Sequence, residues 1–157
     1  MKQIIFTLAI FMLLQSLSNT QSEAQIAKPV KWSYTAEQNQ NEATLVIKST
    51  IDKPWHLYSQ HIADGGPIPT SFAFTPSDNY ELIGNTSEPD AATFHDPNFD
   101  MDLKTFEDQV IFKQKIKVKT TDSFSVKGVL EFMVCNDKMC LPPEKVPFEI
   151  KVNSEKK

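Results

Sequence analysis

The sequence predicts an all-β domain built as an antiparallel sandwich. Short stretches of alternating apolar and polar residues recur along the chain, and no segment carries a convincing helical period. Glycine is scarce, and proline and polar residues punctuate the chain at short intervals, as turns between strands require. Where the alternation is clear, one face of the strand is apolar and the other polar, the signature of a sheet covered on one side.

Eight strands are expected, in this order. Lys31 to Thr35 is a short candidate. Ala43 to Ile51 follows, with Leu45, Ile47 and Ile51 on one face. Trp55 to Ser59 is the third, Thr70 to Thr75 the fourth, and Tyr80 to Ile83 a weaker fifth. Gly84 to Asp102 reads as the longest irregular stretch, rich in Asp, Asn and Pro, and long loops in compact domains are often functional. Val110 to Lys119 is the sixth: Val110, Phe112, Ile116 and Val118 face one way, Lys113, Lys115, Lys117 and Lys119 the other. That lysine row reads as the wet face of a sheet, where charge also discourages edge pairing. In Phe124 to Val134 the residues Phe124, Val126, Leu130, Phe132 and Val134 share a face, and Cys135 points away from it. Val146, Phe148, Ile150 and Val152 mark the eighth strand, with Glu149 and Lys151 outward.

The strands follow an export signal. Lys2 gives a positive start, and Ile4 to Leu14 is an apolar run broken only by Thr7. A membrane helix needs ~20 apolar residues, so the run is short for a span. Ser22-Glu23-Ala24 offers small residues where a signal peptidase checks, which places cleavage after Ala24. The expected organisation is a cleaved signal peptide over 1–24, a single sandwich domain over 25–152 and a polar tail over 153–157. An uncleaved N-terminal anchor is the competing reading. No Cys follows the apolar run to carry a lipid, and no later stretch is apolar enough to insert into a membrane. A domain of this size buries roughly two-thirds of its unfolded surface and folds without a covalent staple. The formal net charge is −4 and every basic residue is Lys. Without Arg there is no bidentate fork for phosphate or guanine, so nucleic acid is not an expected partner.

The chemistry narrows to the two cysteines in VCNDKMCLPP, residues 134–143. Cys135 ends one strand, Cys140 precedes the next, and Asn136-Asp137-Lys138-Met139 forms a plausible hairpin loop. Facing residues at a hairpin mouth have Cα atoms ~4.5 to 5.5 Å apart, and a disulfide needs ~4.4 to 6.8 Å. The spacing permits a bond and the free pair equally, and export suits a disulfide. A six-residue ring stabilises by only roughly 2 kcal/mol. Two thiols at an exposed loop, each able to resolve a mixed disulfide of the other, suit redox exchange. Spacing alone leaves staple and reagent even. Two Cys fall short of a structural zinc set, and nothing spaces His56, His61, His95, Met101, Met133 or Met139 as a site, so no metal is expected. No Ser-His-Asp signature, phosphate loop or paired-carboxylate motif is present.

Three stretches carry a family resemblance. FMVCNDKMCLPPEKVPFEIKV resembles the end of the N-terminal periplasmic domain of the thiol:disulfide interchange protein DsbD, which carries a Cys pair followed by Pro-Pro. PWHLYSQ, residues 54–60, is similar to that family's aromatic strand, and PNFDMDLKTFEDQVIF, residues 97–112, to its cap loop and following strand. The resemblance implies an immunoglobulin-like sandwich, no cofactor, and thiol:disulfide interchange of the protein-disulfide reductase type. It implies that Cys140 is the attacking thiol and Cys135 the resolving one, that Phe99 caps them, and that His56 and Tyr58 flank them. The implied location is the periplasm. The implied partners are a membrane-embedded thiol reductant on a separate chain and thioredoxin-like periplasmic proteins. The chain departs from the family pattern in its tighter inter-cysteine loop, in Pro97-Asn98 replacing an acidic pair, and in His56 replacing a tyrosine. Lys138 favours a thiolate, Asp137 opposes it, and a covering Phe99 disfavours charge by desolvation. The alternative from the residues alone is a non-redox β-sandwich binding module with a structural disulfide.

Overall fold

A computed structural model describes residues 27–153. The expected signal peptide, its cleavage after Ala24 and most of the polar tail lie outside the described residues. Those described form twelve strands: β1 Val30–Asn39, β2 Glu42–Ile51, β3 His56–Tyr58, β4 Ser71–Phe74, β5 Tyr80–Ser87, β6 Ala92–Asp96, β7 Met101–Phe106, β8 Gln109–Val118, β9 Phe124–Phe132, β10 Val134–Asn136, β11 Met139–Cys140 and β12 Glu144–Val152. All pairings are antiparallel, and the architecture is an immunoglobulin-like sandwich.

One sheet has the order β1-β2-β8-β5, and a second the order β12-β9-β4. Period-two alternation supplies the core between them. Leu45 and Ile47 of β2, Phe112 and Ile116 of β8, Val126 and Leu130 of β9, and Phe148 and Ile150 of β12 belong to one buried cluster. Phe112 sits among aromatic rings, with centroids 6.1 Å from Trp32, 5.0 Å from Phe72 and 5.9 Å from Phe106. The intervening Lys113, Lys115 and Lys117 are exposed, as the wet face of a sheet should be. Gln114 is the polar exception in the inward row. Its amide donates to the carbonyls of Ile83 (3.2 Å) and Gly84 (3.3 Å) and accepts from Thr86 Oγ1 (2.9 Å). These groups lie where β5 bulges between Ile83 and Ser87, so Gln114 satisfies carbonyls the interrupted ladder leaves over.

The third sheet, β11-β10-β3-β7-β6, positions the site. Its register sets Val134 opposite Leu57 and Leu57 opposite Phe106, and these three side chains enter the main core. The alternate residues point the other way. Cys135 opposes His56, Tyr58 opposes Thr105, Leu103 opposes Phe94 and Met101 opposes Asp96. This second face holds its own small cluster of Tyr58, Leu103 and Cys135, with Phe99, Met101, Met133 and Cys140 packed on it.

Twelve strands replace the expected eight. The stretch from Gly84 to Asp102 is not irregular: β5 runs on to Ser87, and β6 with β7 forms a hairpin. Alternation fails to mark β6 because all but Asp96 are exposed on this edge strand. The first strand reaches Asn39 because its polar end pairs with the start of β2, Asn39 opposite Glu42.

Gly128 lies in the centre of the second sheet, opposite Phe148 on one side and Phe74 on the other. A Cβ there would sit 2.4 Å from Phe148 Cζ and 2.6 Å from the Ala73 carbonyl oxygen. Gly128→Ala should therefore destabilise the fold by about 1–3 kcal/mol through overpacking, read as a lowered denaturation midpoint in urea. Wild-type stability in that variant would mean that β4 can move away from β9.

Candidate functional site

The cysteines occupy a hairpin tighter than the sequence suggests. Asn136 pairs with Met139 and Cys135 with Cys140, which leaves only Asp137-Lys138 as the turn. The short polar side chain of Asn136 makes this possible: its Oδ1 accepts from the backbone N–H of Lys138 (2.9 Å) and Met139 (3.0 Å). The Leu141 N–H donates to the Val134 carbonyl at 3.0 Å and closes the hairpin base. Directly opposed, Cys135 and Cys140 have Cα atoms 4.0 Å apart and form a disulfide.

The two sulfurs are not equally placed. The expectation of two thiols at an exposed loop holds only for the turn itself. Cys135 is 0% exposed, whereas Cys140 is half-buried. The alternation that turns Cys135 away from the main core turns it into the second cluster instead of into water. Cys140 lies at the sheet edge, on β11, beside Met139, which is 51% exposed.

Asp96 lies beneath the disulfide, fully buried at the end of β6. Its Oδ2 accepts the Tyr58 hydroxyl and lies 3.2 Å from His56 Nε2. Its Oδ1 accepts the backbone N–H of Asn98 at 2.8 Å and the Asn98 side-chain amide at 3.0 Å. Burial opposes ionisation of Asp96, but the hydrogen bonds from Tyr58, Asn98 and His56 outweigh it and hold the carboxyl below its usual range. Burial first, then the hydrogen bond and charge of Asp96, push the Tyr58 hydroxyl far above its ordinary value. The imidazole of His56, the carboxylate of Asp96 and the sulfur of Cys135 lie within 4.8 Å of one another, all buried.

All five sequence-derived candidates converge here. Cys135 and His56 are cross-strand neighbours. The Tyr58 ring meets His56 edge-on at 5.3 Å and Phe99 edge-on at 6.1 Å. Phe99 packs on the cluster from the β6–β7 tip, whose turn carries Asp100 at φ 53°, a conformation aspartate tolerates. The N–H groups of Phe99 (3.3 Å) and Asp100 (2.8 Å) donate to the Asp96 carbonyl, and Asn98 Nδ2 donates to the Asn136 carbonyl (3.0 Å). Lys138 and Asp137 are exposed on the cysteine turn. His95 lies on the opposite face, paired with Asp102, and His61 is exposed.

Sequence reasoning did not assign Asp96 to the site, and it missed Phe94, whose ring is 5.5 Å from that of His56. Period two from Phe94 to Asp96, and from Met101 through Leu103 to Thr105, was the available signal.

Comparison with known proteins gives one family. The family model described as thiol:disulfide interchange protein DsbD, N-terminal, matches residues 22–151. No curated protein sequence matches the chain. Among solved structures, the DsbD N-terminal domain of Neisseria meningitidis in the reduced form is similar with a TM-score of 0.53 at 16% identity, over 78% of this chain and 86% of that one. The N-terminal periplasmic domain of ScsB from Proteus mirabilis gives 0.54 at 14% identity, over 82% of this chain and 49% of that one. The complex between the DsbD and PilB N-terminal domains of Neisseria meningitidis gives 0.54 at 13% identity, over 84% and 95%. At these identities the likeness shows the fold.

Because the disulfide closes a hairpin already held by Asn136 and Leu141, it adds little to stability. The double variant Cys135→Ala/Cys140→Ala should keep the native circular-dichroism spectrum and lose no more than roughly 2 kcal/mol in chemical denaturation. Global unfolding of that variant would identify the bond as a structural staple.

Proposed function

The chain belongs to the family of DsbD N-terminal domains, and we propose that it is an exported thiol–disulfide exchange protein. In this reading it takes electrons from a membrane-embedded thiol reductant and passes them to thioredoxin-like proteins of the periplasm through the Cys135–Cys140 pair. Export rests on the N-terminal segment up to Ala24. The periplasm is supported by the similar ScsB domain, described as periplasmic. A protein partner docking on such a domain is supported by the DsbD–PilB complex.

The observation that carries the proposal is the unequal exposure of two bonded sulfurs at the rim of an otherwise complete sandwich. A partner thiolate reaches Cys140 and not Cys135. During reduction it attacks Cys140 Sγ, the Cys135–Cys140 bond breaks, and Cys135 leaves with the electron pair and takes up a proton. A second partner thiolate then attacks the partner sulfur of the mixed disulfide and releases Cys140. In the donating direction the Cys140 thiolate attacks a partner disulfide, and Cys135, after losing its proton, displaces the reduced partner and re-forms the original bond. Phe99 serves as the cap, since it packs on the cluster from a turn that a docking protein can push aside. His56 and Tyr58 hold the floor of the site against Asp96.

Exposure gives trapping a direction. Cys135→Ala, which leaves Cys140 free, should accumulate a mixed disulfide with a thioredoxin-like partner on non-reducing gels. Cys140→Ala, which leaves only the buried sulfur, should trap little. Equal trapping through both positions, or through neither, would defeat the assignment. Phe99→Ala should speed reaction of the disulfide with a small dithiol several-fold while costing only about 1 kcal/mol of stability. An unchanged rate would remove Phe99 from the role of cap.

A further inference from the structure

We propose that the reduced form of this chain is a zinc site, formed by the Cys135 and Cys140 thiolates, His56 Nε2 and a carboxylate oxygen of Asp96. Three of the four donors already converge: His56, Asp96 and Cys135 come from β3, β6 and β10, are buried, and present ligand atoms within 4.8 Å of one another. The fourth, Cys140, is bonded to Cys135 and held across the hairpin with Cα atoms 4.0 Å apart.

Geometry and donor type both point to zinc. In a tetrahedral site with Zn–N and Zn–O near 2.0–2.1 Å, the N···O edge is about 3.3–3.4 Å, and two sulfurs at about 2.3 Å from the metal lie about 3.8 Å apart. The observed separation of His56 Nε2 from Asp96 Oδ2 is 3.2 Å. Two sulfurs, one imidazole and one carboxylate suit a borderline ion. The outer partners of the carboxylate are also in place, with Tyr58 OH on Oδ2 and Asn98 on Oδ1.

Charge makes the site redox-gated. In the disulfide neither sulfur is a thiolate, and only thiolate is a competent ligand. Reduction leaves two thiols beside a buried carboxylate, where a further negative charge is unfavourable. A divalent cation reverses that preference. Binding breaks two S–H bonds, forms two Zn–S bonds and releases two protons, with no electron moved. With both sulfurs ligated, the reduced pair is closed to oxidants and to partners until the ion leaves.

The inference requires only that the disulfide be reducible, so it stands apart from the electron relay. The protein is reduced with a phosphine, desalted without oxygen and titrated with Zn(II) against a chromogenic chelator. One ion per chain is expected for the reduced protein and none for the oxidised protein. His56→Gln and Asp96→Asn should each weaken binding by at least about tenfold, the lower bound for losing even an outer-sphere partner. Co(II) bound to the reduced wild type should give tetrahedral d–d bands with thiolate-to-metal charge transfer, a readout that does not depend on whether the variants fold. Zinc held as tightly by both variants as by the wild type, an octahedral Co(II) spectrum, or binding unaffected by oxidation would each overturn the proposal.

Discussion

The redox end of this molecule depends on one buried carboxylate. Asp96 ends β6 under full burial, and each of its oxygens is used. Oδ2 accepts from Tyr58 and lies beside His56, which fixes the two aromatic side chains of β3 on the site face. Oδ1 accepts from Asn98, and the Asp96 carbonyl accepts from Phe99 and Asp100, which fixes the hairpin tip over the disulfide. Asn98 extends the connection to the Asn136 carbonyl on the cysteine hairpin. A buried charge is tolerable only when hydrogen-bonded, and here those bonds come from the groups that must be held in register.

Around that anchor, the third sheet separates two jobs by the two faces of its strands. Leu57, Phe106 and Val134 enter the main core, and their neighbours His56, Thr105 and Cys135 build the site. The sandwich core is therefore complete without the disulfide. A bond that lies outside the core and closes a hairpin with its own hydrogen bonds can change redox state while the structure beneath it stays packed.

How much of this could be read in the residues follows from the same faces. The strands that line the main core, such as β2, β8, β9 and β12, alternate strongly and were legible, with ends displaced by one or two residues. Cys135 and Cys140 were singled out by their spacing, and Phe99, His56 and Tyr58 through the family resemblance; the fold brings all five together. The β6–β7 hairpin was not, because an exposed edge strand needs no apolar row, and Asp, Asn and Pro at its tip resemble an irregular loop. The depth of Cys135 was hidden for a related reason: period two tells which face a residue takes, and not what covers that face. Cover comes from Phe99, Met101 and Leu103, residues distant in sequence whose place is set by the hairpin that alternation could not reveal.

On the proposed reading, the cap must open without loosening the anchor, and the bonding divides there. Asp96 is buried and fully engaged, whereas beyond it the tip is tied to the cysteine hairpin by the exposed bond from Asn98 to Asn136. An exposed hydrogen bond of that kind contributes on the order of 1 kcal/mol net, within reach of the contacts a docking protein offers. On this reading the Phe99 side chain turns aside while its N–H stays on the Asp96 carbonyl and His56 and Tyr58 stay on the carboxylate. Cys140, on the edge strand, is then met first, and Cys135 lies one strand further in, opposite His56. A partner therefore meets one sulfur first, and the order of bond exchange is set by the order of strands in the sheet.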